Sequence, residues 1–246
     1  MPVIIDGTNG VSTPNTFAFK NRIIDGGFTI NQRGYTSGTS LSSGSYGHDR
    51  WKGGASGGTY TFTQGSTGVN TTITITAGSI IQVIEGANLP EGGTYVLSWT
   101  GTAQGKIGSG SFGASGITGT ITAGTNTNIE FNTGTCGNVQ LEVGSTATSF
   151  DYRPYGTELQ LCQRYFQVIN SAVYRAYLNG GVFYWIPWQV TCRAAPTITN
   201  TSAAYSLSSS AVWYNASING AEISFTSTGT GSSYYAILTT TISAEL

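Results

Sequence analysis

Charge is scarce in this sequence. Only 9% of its 246 residues are Asp, Glu, Lys or Arg, against about 25% in ordinary soluble domains. The ten basic residues are scattered, so no nucleic acid is expected as a partner, because a phosphate backbone needs clustered Lys and Arg. A net charge of −1 leaves little of the charged coat that keeps soluble monomers apart, and much surface is expected to be covered by neighbouring subunits. Histidine occurs once. His48 stands in a Gly-Ser-Tyr-Gly-His-Asp-Arg-Trp stretch with no assignable Ser-His-Asp or Cys-His partner set, and a general base needs both an orienter and a nucleophile. It reads as structural, with Asp49 and Arg50 fixing a loop by charge-assisted hydrogen bonds and Trp51 in the core. Cysteine occurs three times, at Cys136, Cys162 and Cys192, without a CxxC pair. Such spacing gives neither a disulfide framework nor a zinc site, and buried small hydrophobes are expected. No apolar run approaches the roughly 18 residues of a spanning helix, so no membrane insertion is expected. The N-terminal stretch MPVIIDGTNG lacks a basic region followed by an apolar core, which predicts synthesis in a cytoplasm without a signal peptide.

What is abundant is glycine, with 35 residues, together with Thr, Ser and 12% aromatics. Thr, Val, Ile, Tyr and Trp suit a pleated surface while Gly punctuates turns, so the chain reads as all-β. With 39% hydrophobic residues it has enough apolar surface to offset chain entropy, and disorder is not expected. Strand-length runs recur at Tyr60 to Thr63, Thr71 to Thr76, Ile80 to Ile84, Tyr95 to Thr100, Ile117 to Thr122, Asn128 to Asn132 and Val139 to Val143. Many short strands with turn signals between them imply a sandwich or barrel. In NTTITITAG, Ile73 and Ile75 face one way and the threonines the other, the alternation of a half-buried strand. Tyr95, Leu97 and Trp99 likewise share a face.

One helix is expected over Thr157 to Val168, with Thr157 as its N-cap, Glu158 in its first turn, and Leu159, Cys162 and Phe166 in a stripe. After it come further strands, at Ala172 to Leu178, Val182 to Thr191, Thr197 to Asn200, Ala203 to Leu207, Ala211 to Asn215, Glu222 to Thr226 and Tyr234 to Ile242. In GGVFYWIPWQVTCR both alternating faces are apolar, with Phe183 and Trp185 on one and Tyr184, Ile186 and Trp188 on the other. Such a strand lies between two layers or meets another subunit, and Pro187 places it at an edge or a bulge. The division expected is an arm at 1–19 that attaches to a partner or a neighbouring subunit, a β-sandwich at 20–153, a helical joint at 154–170 and a second β-sandwich at 171–246.

Two stretches resemble phage tail-fibre and related virion proteins. NRIIDGGFTINQRG (Asn21 to Gly34), followed by HDRWK (His48 to Lys52), is similar to the opening of the first domain of such fibres, which begins on an Asn-x-Ile-x-x-Gly-x-Phe strand. EVGSTATSFDYRPYGTELQLCQRYFQ (Glu142 to Gln167) resembles the joint between their domains. VTCRAAPTIT and SAEL resemble points of their C-terminal domains, although the family often has Met where this chain has Cys192. A second resemblance, over Asn21 to Tyr152, is to the jelly-roll carbohydrate-binding modules found beside polysaccharide hydrolases. It implies a jelly-roll sandwich and a structural Ca2+, with Asp25 and Glu142 as candidate ligands and Gln140 the other occupant of the usual acidic position. No other cofactor is expected.

The resemblance implies a bacteriophage virion protein, a tail-fibre or appendage subunit, assembled as a homotrimer and joined to other virion proteins through its arm. Acting outside cells without a signal would require release by lysis, as for a virion. No enzymatic activity is expected and no catalytic residue is assigned. A glycoside hydrolase needs two carboxylates at a set separation, and the chain shows none of the long repeats of capsule-degrading tailspikes. Binding of host-surface polysaccharide is the function expected, because aromatic rings stack on sugars while polar side chains take the hydroxyls. The candidates are Trp185, Trp188, Trp213, Tyr214 and Tyr234, with Tyr235 beside the last. The alternative is a head-decoration or tail-assembly protein that binds only other virion proteins.

Overall fold

The computed structural model describes residues 4–6, 10–12, 20–66, 68–176, 181–206, 211–226 and 234–246. Strands make up 45% of the chain and pair antiparallel throughout, and one short α-helix is present among the described residues. The protein is all-β. None of its described helices is long and apolar enough to cross a membrane. The chain forms two units, one of residues 1–29, 36–46 and 51–154, the other of residues 30–35, 47–50 and 155–246.

In the first unit, β1 (Ile4–Asp6) and β2 (Gly10–Ser12) form a two-stranded ribbon within the expected arm. The main sheet contains β3 (Ser40–Leu41), β4 (Lys52–Thr61), β5 (Ile73–Ile84), β6 (Gly93–Thr100), β7 (Gly105–Ile107), β8 (Ile117–Ile121), β9 (Thr127–Phe131) and β10 (Gly134–Val143). It is curled, because β5 and β10 each change partners along their length. Ile73 to Ile75 pair with β10, while Ile80 to Ile84 pair with β9. Beyond Cys136, β10 leaves β5 for β6. The expected strands at Thr71 to Thr76 and Ile80 to Ile84 are therefore one, and within it Ile73 and Ile75 are buried while Thr74 and Thr76 are exposed. The interior centres on Trp51, whose ring lies 5.0 Å from Phe28 and 6.0 Å from Phe131, with Trp99 edge-on to Phe131 at 5.0 Å. Both indole N–H groups are satisfied, donating to the carbonyls of Asp25 and Ala103, as buried Trp requires.

The expected opening strand at Asn21 to Phe28 is not one. Its backbone includes Asp25 and Phe28 in the left-handed region, far from extended strand geometry, and side chains satisfy its polar groups instead. Asn21 Oδ1 accepts from the amides of Ile23 and Leu141, and Gln82 brackets Ile24 on both its N–H and its carbonyl. Arg153 donates to the carbonyls of Asn21 and Ile23. Gly26 is required here, since a Cβ would sit 2.1 Å from the Val139 carbonyl oxygen.

In the second unit, α1 (Tyr155–Gln163) precedes β11 (Phe166–Ala176), β12 (Gly181–Pro187), β13 (Thr197–Ser206), β14 (Val212–Tyr214), β15 (Gly220–Thr226) and β16 (Tyr234–Ser243). The helix starts two residues before Thr157, which lies in its first turn rather than at the cap. It also ends before Phe166, where expectation carried it to Val168. The Tyr165 amide closes the last turn onto Cys162, and Phe166 to Ile169 then pair with β16. The aromatic and β-branched run there favours a strand once a partner is available. Two three-stranded sheets result, in the orders β11-β16-β13 and β12-β15-β14. They share apolar clusters, with Ile223 and Phe225 meeting Leu238, and Ala221 meeting Ile242.

A buried ionic network closes this unit. The Glu245 carboxylate lies 3.0 Å from Arg33 and also pairs with Arg50, and Arg33 reaches Asp49 at 3.3 Å. Arg33 lies 3.7 Å over the Phe166 ring and Arg50 3.6 Å over Tyr165. Gln32 donates to Asp49 from both its backbone and its side chain, and Arg193 donates to the Glu245 carbonyl. Removing one partner from a buried ion pair costs about 3–5 kcal/mol, whereas an exposed pair contributes about 0–1 kcal/mol. Glu245→Gln should therefore destabilise the second unit in denaturant unfolding by about 3–5 kcal/mol. Glu91→Gln, which breaks the half-exposed pair with Arg22, should change unfolding by less than about 1 kcal/mol.

Burial raises the Asp49 carboxyl from 3.8 to about 6, outweighing the opposing pull of Arg33 and the Gln32 hydrogen bonds. A group whose pKa is higher folded than unfolded stabilises the fold at low pH and loses that contribution as pH rises through the folded value. The stability of the wild type relative to Asp49→Asn should therefore increase as pH falls from about 6 to about 4 and stay flat above that window, measured by paired denaturant melts. No difference in slope between the two proteins would overturn the assignment.

Candidate functional site

Alternation along the sheet β12-β15-β14 divides its side chains into two faces. Tyr184 and Ile186 of β12, Trp213 of β14, and Ile223 and Phe225 of β15 point into the core. Phe183, Trp185, Val212 and Tyr214 point outward and are 67%, 52%, 46% and 47% exposed. The register aligns them in two rows, Phe183 with Ser224 and Val212, and Trp185 with Glu222 and Tyr214. Neighbouring strands lie about 4.8 Å apart, so the two outer strands, β12 and β14, are separated by roughly 10 Å. Large side chains bridge part of that span, and the Phe183 and Tyr214 rings come to 6.2 Å.

Two local features orient this face. Gly220 lies beneath the Trp185 indole, where a Cβ would come within 2.7 Å of its six-membered ring and 2.5 Å of the Ile186 carbonyl oxygen. The missing side chain leaves room for the indole. Asn215 takes a left-handed conformation directly after β14, which asparagine tolerates better than most residues. Its side-chain amide turns back and donates to Glu222 Oε2 at 2.6 Å. The result is a surface carboxylate held between aromatic rings on regular strands. Such a face can stack on the C–H side of a ring-shaped ligand and accept hydrogen bonds from its rim.

Of the expected sugar-binding residues, Trp185 and Tyr214 share this face. Trp188 and Trp213 do not. Trp188 is buried beside Cys192 and Ile242, and its indole donates to the Ser217 carbonyl at 2.8 Å. Trp213 packs against the same cluster, 6.3 Å from the Trp188 ring, and its indole donates to Asn200 at 3.0 Å. Tyr234 and Tyr235 lie in β16, opposite Ala176 and Arg175, with side chains outside the described residues. Phe183, Glu222 and Asn215 were not among the candidates. The signal for Glu222 was present, since it is the single charged residue in the three strands of this sheet.

The calcium candidates have separate partners. Asp25 accepts hydrogen bonds from the amide and hydroxyl of Thr29. Glu142 accepts from Gln140 and from the amide and hydroxyl of Thr148. Among the described residues no group of three or more His, Cys, Asp and Glu gathers in the manner of a metal site. His48 and the three cysteines are buried. Burial pushes the Cys136 and Cys192 thiols up, away from the thiolate form.

No family model, curated protein or solved structure matches the chain.

Core and surface tryptophans should separate in stability measurements. Trp188→Ala is expected to destabilise the protein by about 3–5 kcal/mol, whereas Trp185→Ala and Tyr214→Ala should each cost less than about 1 kcal/mol. Denaturant unfolding of the three variants checks the assignment, and an equal cost for Trp185 and Trp188 would refute it.

Proposed function

We propose that the protein is a bacteriophage virion appendage subunit of the tail-fibre type, which binds host-surface glycans without chemically altering them. The observation that carries this reading is the outward face of β12, β15 and β14, where Phe183, Trp185 and Tyr214 surround Glu222. Aromatic platforms beside a hydrogen-bonding carboxylate suit the alternating apolar and hydroxylated surfaces of sugars. The face has no second carboxylate on its strands, so Glu222 lacks there the partner that two-carboxylate hydrolysis requires.

The fibre-like motifs and the low charge of the chain support an assembled virion component, with the first 19 residues as its attachment arm. A homotrimer would multiply weak sites through effective concentration. The resemblance to carbohydrate-binding modules supports a jelly-roll sandwich for the first unit. The exchange of partners along β5 and β10 is what a sheet folding over on itself needs.

The test is binding of the purified protein to intact host cells and to a glycan array, beside the double variant Trp185→Ala/Tyr214→Ala. Saturable binding that falls at least about tenfold in the folded variant is expected, as for loss of two aromatic anchors. A folded wild-type protein that binds neither cells nor glycans would instead support a head-decoration or tail-assembly role.

A further inference from the structure

Glu222 gives the exposed aromatic face a charge of one sign. It occupies the middle strand, with Trp185 opposite on one side and Tyr214 opposite on the other. Asn215 engages one carboxylate oxygen, and a carboxylate offers about four acceptor positions in all. The arginines of this unit with described side chains are committed elsewhere. Arg33, Arg50 and Arg193 hold Glu245, and Arg164 lies over Tyr165.

Resting on the glycan-binding reading, we propose that this face accepts neutral and amine-bearing sugars and rejects acidic ones, with Glu222 as the selecting residue. A sugar stacked on Trp185 or Tyr214 brings its ring substituents to the strand between them. A hydroxyl there donates to the carboxylate, and an ammonium donates more strongly because the bond is charge-assisted. A uronate or sialate would set a second anion against Glu222 beside apolar rings, which screen charge less well than water does. The face thus recognises by stacking and discriminates by charge.

The experiment places the full-length protein on an array of neutral glucans and galactans, chitosan oligomers, and uronate and sialate sugars, with each acidic sugar beside its neutral counterpart. Wild type should bind amine-bearing sugars best, neutral ones next, and acidic ones at least about tenfold more weakly than their counterparts. Glu222→Gln should remove the amine preference and admit acidic sugars, while Trp185→Ala should abolish binding to every class. Acidic and neutral sugars bound equally by wild type, or an unchanged ranking in Glu222→Gln, would overturn the selectivity and leave glycan binding in place. Absent binding would overturn glycan binding and the selectivity together, and binding indifferent to Trp185→Ala would remove both from this face. So would a sedimentation shift in Trp185→Ala that revealed this face as a contact between copies of the chain.

Discussion

The second unit depends on one buried carboxylate. Glu245 lies between Arg33 and Arg50, the two guanidiniums rest on the rings of Phe166 and Tyr165, and Asp49 completes the set. Each charge taken from water carries a desolvation cost that only its partners offset. The network is therefore close to all-or-none, and its members require one another. That requirement explains why short motifs scattered along the chain stand out in the sequence. Gln32 and Arg33 come from NQRG, Asp49 and Arg50 from HDRW, Tyr165 and Phe166 from QRYF, Arg193 from TCR, and Glu245 from SAEL. What they share is a location. They mark how a fold is closed and say nothing direct about a ligand, since function resides in sites rather than folds.

The face proposed for recognition lies elsewhere, on a sheet whose inner side is fixed by Ile223, Phe225 and Leu238. Because β12, β14 and β15 are regular strands, the outward rings inherit their spacing from the backbone hydrogen bonds. This is a firmer support than a loop, and preorganised rings lose little entropy on binding. Gly220 and Asn215 add the local adjustments, one leaving room for an indole and the other turning an amide onto Glu222.

Much of this was legible in the sequence and part was not, for identifiable reasons. The alternation of Ile73 and Ile75 with Thr74 and Thr76 reads directly as a half-buried strand, and the structure has it so. The two apolar faces of β12 were equally legible, and Pro187 lies at the end of an outer strand. Which face was outward was not legible, because period two separates the sides without naming them. Packing of β15 against β16 decided it, and sent Trp188 and Trp213 inward. The end of the helix is not legible because Tyr165 and Phe166 fit a helical stripe as well as a strand, and only pairing with β16 breaks the tie. Asn21 to Phe28 failed for a third reason. The partners that replace its ladder, Gln82 and Arg153, lie 58 and 130 residues away, and no local pattern carries such information.

Sequence distance also bears on the way the protein is made. Arg33 and Glu245 are 212 residues apart, and Arg50 and Glu245 are 195 apart. A ribosome delivers the two arginines 212 and 195 residues before their counter-ion. Throughout that interval the nascent chain carries cationic segments whose native resting place does not yet exist, while the strands between them are emerging. At roughly 5–20 residues per second the gap lasts some tens of seconds. The second unit thus matures only once Glu245 has emerged, and protection of the earlier segments during the wait falls to hydration or to chaperones.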